Sequence, residues 1–327
     1  MKAVWYQSFG KAGEVLRYGE QEAAEPGPGE VRVKLSFSAV NPSDVKKRMG
    51  ASPGILARGF VIPNSDGAGM IEAAGEGVDP LRVGERVWVY NGQHARHMGT
   101  SAEYITLPQE HAVFLPDEAD LSTGACLGIP AMTAHRCVFS DGPVCDRVIL
   151  VTGGAGRVGY YAIQLAKQSG AMVIATAGSD ASKRQCEQAG ADLVVGHPSE
   201  NTARAILDYT NGRKVDRVVE GDFGANLPNL LPLMKTCGVI ASYASATEPE
   251  PALPFYKLMY KDLTLRTVLV YEMPREAKQA AIEDITTKLR TGTLKHRVAE
   301  TYPLSESVRA HEAIERGGQY GCVLLDI

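Results

Sequence analysis

The chain of 327 residues is poor in several features that would have committed it to a class. Its six cysteines, Cys126, Cys137, Cys145, Cys186, Cys237 and Cys322, include no CxxC pair, which argues against a zinc ribbon or a disulfide framework. They read as mostly buried small apolar residues. No apolar run reaches the ~18 residues of a membrane span, and the opening MKAVWYQSFG lacks the apolar core of a signal peptide. The expectation is a cytoplasmic protein with no membrane partner. An excess of positive charge is missing too: 34 Lys and Arg stand against 38 Asp and Glu, a net charge of -4, so there is no general electrostatic reason to bind nucleic acid. Internal repeats and low-complexity segments are also absent.

What is present divides into two grammars, in a length sufficient for two domains. The first part holds short β-rich runs, VRVKLSFSAV, GAGMIEAAG, ERVWVY and SAEYITL, separated by turns such as EPGPGE and GEGVDP. This spacing predicts a compact, mostly antiparallel β domain. From Leu121 onward, LSTGACLGIPAMTAHRCVF reads as helical. The apolar runs RVILVTG, AMVIATAG, DLVVGH, VDRVVEG, GVIASYAS and LTLRTVLVY then alternate with helical patterns, as in a doubly wound parallel sheet. The last run is expected to be either an interior strand or an exposed sheet edge. Beyond Tyr271, where two helical patterns and a terminal strand, GCVLLDI, follow, strand-like HRVAETYPL resembles the opening β material, so the tail is expected to fold back onto the first domain.

The segment LVTGGAGRVGYYAIQLAKQSGAMVIATAGSDASKR concentrates the chemistry. Gly154-x-Gly156-x-x-Gly159 follows an apolar strand and opens a helix, the context that a dinucleotide fingerprint requires. One glycine permits the tight turn, another lets backbone N–H groups approach a pyrophosphate, and the last brings helix and strand together. Gly154, Gly156, Arg157, Val158 and Gly159 are therefore candidate cofactor contacts. The second strand then ends at Thr176-Ala177-Gly178-Ser179 without the acid that would bind a ribose 2′-hydroxyl, and Lys183 and Arg184 follow. That favours a 2′-phosphate and hence NADPH. A shift of two or three residues would put Asp180 there instead.

These motifs, with AVNPSDVKKRMG, PNSDGAGMIEAAGEGV, GERVWV, SAEYITLP, LGIPAMTAHR and AHEAIERG, make the whole chain resemble the medium-chain dehydrogenase/reductase superfamily, within it the zeta-crystallin and bacterial NADPH:quinone oxidoreductase branch. The resemblance implies an α/β protein: a GroES-like β-rich catalytic domain (1–123 and 272–327), a Rossmann domain (124–271), and an active site in the cleft between them. It also implies NADPH-dependent reduction of quinones, or alternatively of the C=C bond of enones and enals, and a homodimer or tetramer. A non-catalytic crystallin-like or RNA-binding role is a third reading, against which the acidic balance counts.

By the same resemblance, Asn41 and Asp44 orient substrate or nicotinamide, although Asp44 also suits a cap for a helix starting near Pro42. Thr133 is carried over to the nicotinamide end, and Ser179 and Lys183 to the 2′-phosphate. Tyr243, Ala244 and Ser245, with Val268, Leu269 and Val270, are carried over to the nicotinamide ribose and carboxamide. Lys261 has a counterpart without an assigned role. His197 stands where relatives hold the 2′-phosphate with Tyr, Gly317 beside Arg316 where they use Arg, and Lys46 and Ser52 where bacterial relatives have Tyr. Zinc-dependent members carry Cys at the position of Asn41 and His-Glu at Ser65-Asp66, so the metal-free branch is expected. His94 and His97 lack a third ligand and read as exposed loop residues.

Overall fold

The computed structural model describes residues 1–197 and 199–327. The β-rich runs form β1 (Lys2–Trp5), β2 (Arg17–Glu20), β3 (Glu30–Val40), β4 (Asp66–Ala74), β5 (Arg86–Val89), β6 (Tyr104–Pro108) and β7 (Ala112–Phe114). The alternation in β3 buries Val31, Val33 and Leu35 on one face, where they pack with Ile71, Val87, Val89, Ile105 and Leu107. This is the period-2 signature of a half-buried strand. β1 and β2 pair antiparallel with each other. The tail supplies β14 (Val298–Pro303) and β15 (Cys322–Asp326), and the larger sheet runs β14-β15-β3-β4-β5-β7 with β6 on the other part of β3. Its pairs are antiparallel except β14 with β15.

The later apolar runs form β8 (Val148–Val151), β9 (Met172–Thr176), β10 (Leu193–Val195), β11 (Val215–Glu220), β12 (Met234–Ser242) and β13 (Thr264–Thr267). They lie in the order β10-β9-β8-β11-β12-β13, and every pair is parallel. That order is the Rossmann arrangement, with the direction of winding reversing between β8 and β11. β13 ends the sheet, so of the two readings of LTLRTVLVY the edge strand is the one observed. By contacts the chain divides into two units, Met1–Ile129 with Ile282–Ile327, and Pro130–Ala281. Cys126, Cys137, Cys186 and Cys322 are buried, whereas Cys145 and Cys237 are exposed.

The helical reading of residues 121–139 needs correction. Leu121–Gly124 is one short turn, and a new helix begins only at Gly128 and runs to Phe139. The break frees backbone N–H groups at the new N-terminus, and one of them, that of Ile129, donates to the buried carboxylate of Asp66.

Candidate functional site

The glycines after β8 divide their work. Gly153 takes a left-handed φ of +58°, which makes the turn, and its N–H donates to the Thr176 hydroxyl at 2.9 Å. Gly154 and Gly159 are buried: a Cβ at Gly154 would lie 2.9 Å from Ala175, Cys186 and Ile163, and one at Gly159 would lie 2.6 Å from the Gly153 carbonyl oxygen. Gly153 and Gly156 stay exposed, with Gly156 capping the helix Arg157–Gln168 and Arg157 and Val158 half-buried in its first turn. A helix N-terminus beside an open glycine surface suits a pyrophosphate.

β9 ends at Thr176, and Ser179 caps the helix Asp180–Ala189 by accepting from the Ser182 N–H. Asp180 is therefore the first residue of that helix, beyond the strand end where an acid would meet a ribose. Ser179, Asp180, Lys183 and Arg184 are all exposed. His197, also exposed, comes from the far end of β10, and its Nε2 lies 2.7 Å from where a Cβ on Gly178 would sit. The side chain at 197 thus reaches the end of β9, which sequence separation alone could not reveal.

At the other half of the sheet a cavity of about 660 Å³ opens at the C-terminal ends of β12 and β13. Tyr243, Ala244, Ser245, Val268 and Leu269 line it. Ser245 Oγ accepts from the Gly224 N–H at 2.9 Å, and the Val268 N–H donates to the Ser242 carbonyl at 2.7 Å. Val270 is buried in the following turn rather than lining the cavity. Thr133 is buried one helical turn before Arg136; Arg136 lines the cavity and Thr133 does not. Lys261 acquires a structural role: its ammonium donates to the carbonyls of Leu231 and Met234.

In the other unit, Asn41 caps the helix Pro42–Lys46 and is 2% exposed. Its N–H donates to Asp44 Oδ2 at 2.8 Å, so Asp44 does serve as a cap, and its Nδ2 donates to Asp66 Oδ2 at 2.9 Å. The Ile129 N–H donates to the same Asp66 oxygen at 2.8 Å, while Asp66 Oδ1 is buried without a hydrogen-bond partner among the described residues. Burial, reinforced by the Asp44 charge, raises the Asp66 carboxyl well above its ordinary range, against the opposing Ile129 and Asn41 hydrogen bonds. Lys47, also buried, donates to the Gln93 carbonyl at 2.8 Å and to Ser65 Oγ at 3.4 Å. Burial lowers its pKa, opposed by Asp44 and Asp66. The sequence analysis named Asp66 only as a position where zinc-dependent members carry a ligand, and did not single out Lys47, which sits in the charged run DVKKR where one lysine is not distinguishable from the next.

This geometry has clear relatives. The Alcohol dehydrogenase GroES-like domain family matches residues 27–117, and the Zinc-binding dehydrogenase family matches residues 158–287. The quinone oxidoreductase of Rattus norvegicus is 30% identical, over 99% of this chain and 97% of that protein. The chain belongs to the quinone oxidoreductase family. Another family member, from Pseudomonas aeruginosa, is 29% identical over 99% of both chains. A mycobacterial protein solved in complex with NADPH superposes with a TM-score of 0.88 over the whole of both chains, at 27% identity.

Zinc does not fit this member. The positions that would ligate it present a carboxamide, a hydroxyl and a carboxylate, and the carboxamide N–H is committed to the carboxylate. Among the described residues there is no group of three or more His, Cys, Asp and Glu suited to a metal. Thiolate and imidazole donors are what tetrahedral sites of this kind require.

Proposed function

We propose that this protein is an NADPH-dependent oxidoreductase that reduces quinones by hydride transfer without zinc. The observation that carries the reading is the Rossmann sheet with an open Gly153–Gly156 cradle, in a chain similar over its full length to quinone oxidoreductases. NADPH, when bound, supplies the hydride; the protein binds, orients and shields. The first turn of the helix Arg157–Gln168 holds the pyrophosphate through its N–H groups. Ser179, Lys183 and His197 take the 2′-phosphate, with Asp180 in the first turn of its helix. Tyr243, Ala244, Ser245 and Val268 hold the nicotinamide ribose and carboxamide, supported by the cavity they line, and Thr133 and Val270 back that end.

Asn41 orients the acceptor through its carboxamide, and Asp44 and Asp66 fix the orientation of Asn41. No residue here acts as a Lewis acid, so an already activated acceptor such as a quinone suits the site better than a simple alcohol or ketone. Protons reach the reduced quinone from water or a neighbouring side chain. The cytoplasm remains the proposed location; among the described residues no helix is long and apolar enough to cross a membrane.

The reading is tested by following reduced-nicotinamide absorbance with NADPH and NADH, against quinones and a simple enone, for the wild type and Lys183→Glu. Rapid, chelator-insensitive NADPH oxidation by a quinone is expected, with the variant raising the KM for NADPH about tenfold and leaving that for NADH unchanged. Activity confined to the enone, with a saturated carbonyl product, would move the protein to the C=C reductases. Equal use of both cofactors by wild type and variant would remove the phosphate role of Lys183.

A further inference from the structure

The β-rich unit contains a second cavity, of about 670 Å³, whose charge is unbalanced. Lys47, Arg58, His94, Arg96 and His97 line it, against a single carboxylate, Glu30, which already accepts from the Gly27 N–H at 3.1 Å. His94 and His97 are half-buried rather than exposed as the loop sequence suggested, because the segment 93–98 folds inward as one wall of this cavity.

The cations are not equivalent. Lys47 feels the carboxylates of Asp44 and Asp66, which offset part of the cost of its burial, as Glu30 does for Arg96. Arg58 and Arg96 have no carboxylate at ion-pair distance among the described residues. Among the described residues Arg58, which is exposed, makes no side-chain hydrogen bond. Arg96 spends Nη2 on the Thr106 carbonyl, while its Nη1 is buried with no partner among the same residues. A buried, unsatisfied charged donor is costly, and a cavity that sets one such donor beside an exposed guanidinium offers a counter-anion a favourable field. The proximity of the two arginines is also felt by His97, whose pKa is lowered by burial and then by Arg58 and Arg96.

We propose that this cavity receives an anionic substituent, a carboxylate or sulfonate, of the electron acceptor, so that the preferred substrates are acidic quinones rather than neutral ones. Lys47 joins the cavity to the cluster of Asn41, Asp44 and Asp66, since it lines the one and carries charge into the other. The acceptor ring then lies toward Asn41 and its acidic group toward Arg58 and Arg96. The inference rests on the quinone reductase reading for its account of turnover, but anion binding in the cavity is testable without turnover.

The experiment compares 1,4-naphthoquinone with 1,4-naphthoquinone-2-sulfonate as acceptors for the wild type, Arg58→Gln and Arg96→Gln. The variants are expected to raise the KM for the sulfonate about tenfold and to leave that for the neutral quinone within about twofold. Added KCl should weaken the sulfonate selectively in the wild type, and less so in Arg58→Gln. Arg58→Gln keeps the test sound if Arg96→Gln fails to fold, because Arg58 supports no hydrogen bond. Calorimetric titration with naphthalene-2-sulfonate, which cannot be reduced, reads the cavity independently. Binding that Arg58→Gln weakens, competitive with quinone, supports the proposal. Equal shifts for both quinones, no shift for either, or anion binding not competitive with quinone would overturn it. If neither quinone is reduced, the quinone reading fails on its own, and the titration still decides whether the cavity takes an anion.

Discussion

At the scale of single residues, the arrangement of Asn41 and Asp66 makes a chemical prediction. One Asn41 N–H is used to hold the carboxamide against Asp66, so the side chain is oriented by a buried neighbour rather than by solvent. Asn41→Ala is expected to lower kcat/KM for a quinone by about ten- to a hundredfold while leaving the KM for NADPH nearly unchanged. Unchanged turnover would remove Asn41 from the site. On the proposed reading Asp66 positions Asn41, and its variant Asp66→Asn resembles the protonated acid. Because burial raises the Asp66 pKa in the folded protein, the wild type keeps its proton to higher pH than an ordinary carboxyl. Rates of wild type and Asp66→Asn should converge on acidification and separate as the pH rises through that raised value. A constant ratio across the pH profile would leave Asp66 only a structural role.

Among the elements, β13 and the helix that precedes it stand out. β13 leaves one edge of the parallel sheet unpaired. Beside it in sequence, the helix Phe255–Met259 and its flanks expose Leu253, Phe255, Tyr256, Met259 and Tyr260, and Leu269 follows the strand. Tyr260 is 77% exposed and stacks on Tyr256 with ring centroids 6.1 Å apart. Unpaired edges and clustered exposed apolar side chains are ordinarily covered, and the prediction is a homodimer formed through this edge. Sedimentation velocity of the wild type should give a dimer, and the double variant Tyr256→Glu, Tyr260→Glu a folded monomer. A monomeric wild type, or a double variant of undiminished mass, would dismiss this edge as the interface.

For the whole molecule, the buried histidines set a dependence of stability on pH. Burial lowers His296 to about 4 and, with the Arg48 charge, His311 to about 3. Both folded values lie below the ~6.5 of an unfolded histidine, so the unfolded chain binds more protons over the interval between. Their neutral state is accommodated fully above pH 6.5, and stability is lost as the pH falls through 6.5 toward those folded values, on the order of 2 kcal/mol per histidine by pH 5. The raised carboxyls of Asp66 and Glu220 act in the opposite sense, since the folded state takes up their protons first on acidification. The His311 share is isolated by comparing denaturant midpoints of wild type and His311→Gln between pH 7.5 and 5. The variant should lose less stability over this interval, and parallel curves would place the histidine charge elsewhere.

The local chemistry of this protein was legible from its residues. Apolar runs of strand length punctuated by glycine gave β3, β4 and the six parallel strands, because burial on one or both faces imposes a pattern that a linear reading detects. The turn at Gly153–Gly159 and the absence of an acid before Ser179 were legible for the same reason, as local consequences of backbone sterics and charge. Relations between distant segments were not. The pairing of Asn41 with Asp66, the break before Gly128 that lets Ile129 meet the same carboxylate, the reach of His197 to Gly178, and the cavity shared by Arg58 and Arg96 join residues with no common local pattern. Burial turns such encounters into chemistry, because a polar group removed from water must find its partner wherever the fold puts one. The sequence thus determined which strands form and what kind of ligand the glycine loop can hold, whereas tertiary structure alone decided which carboxylate meets Asn41 and where positive charge gathers around a single carboxylate.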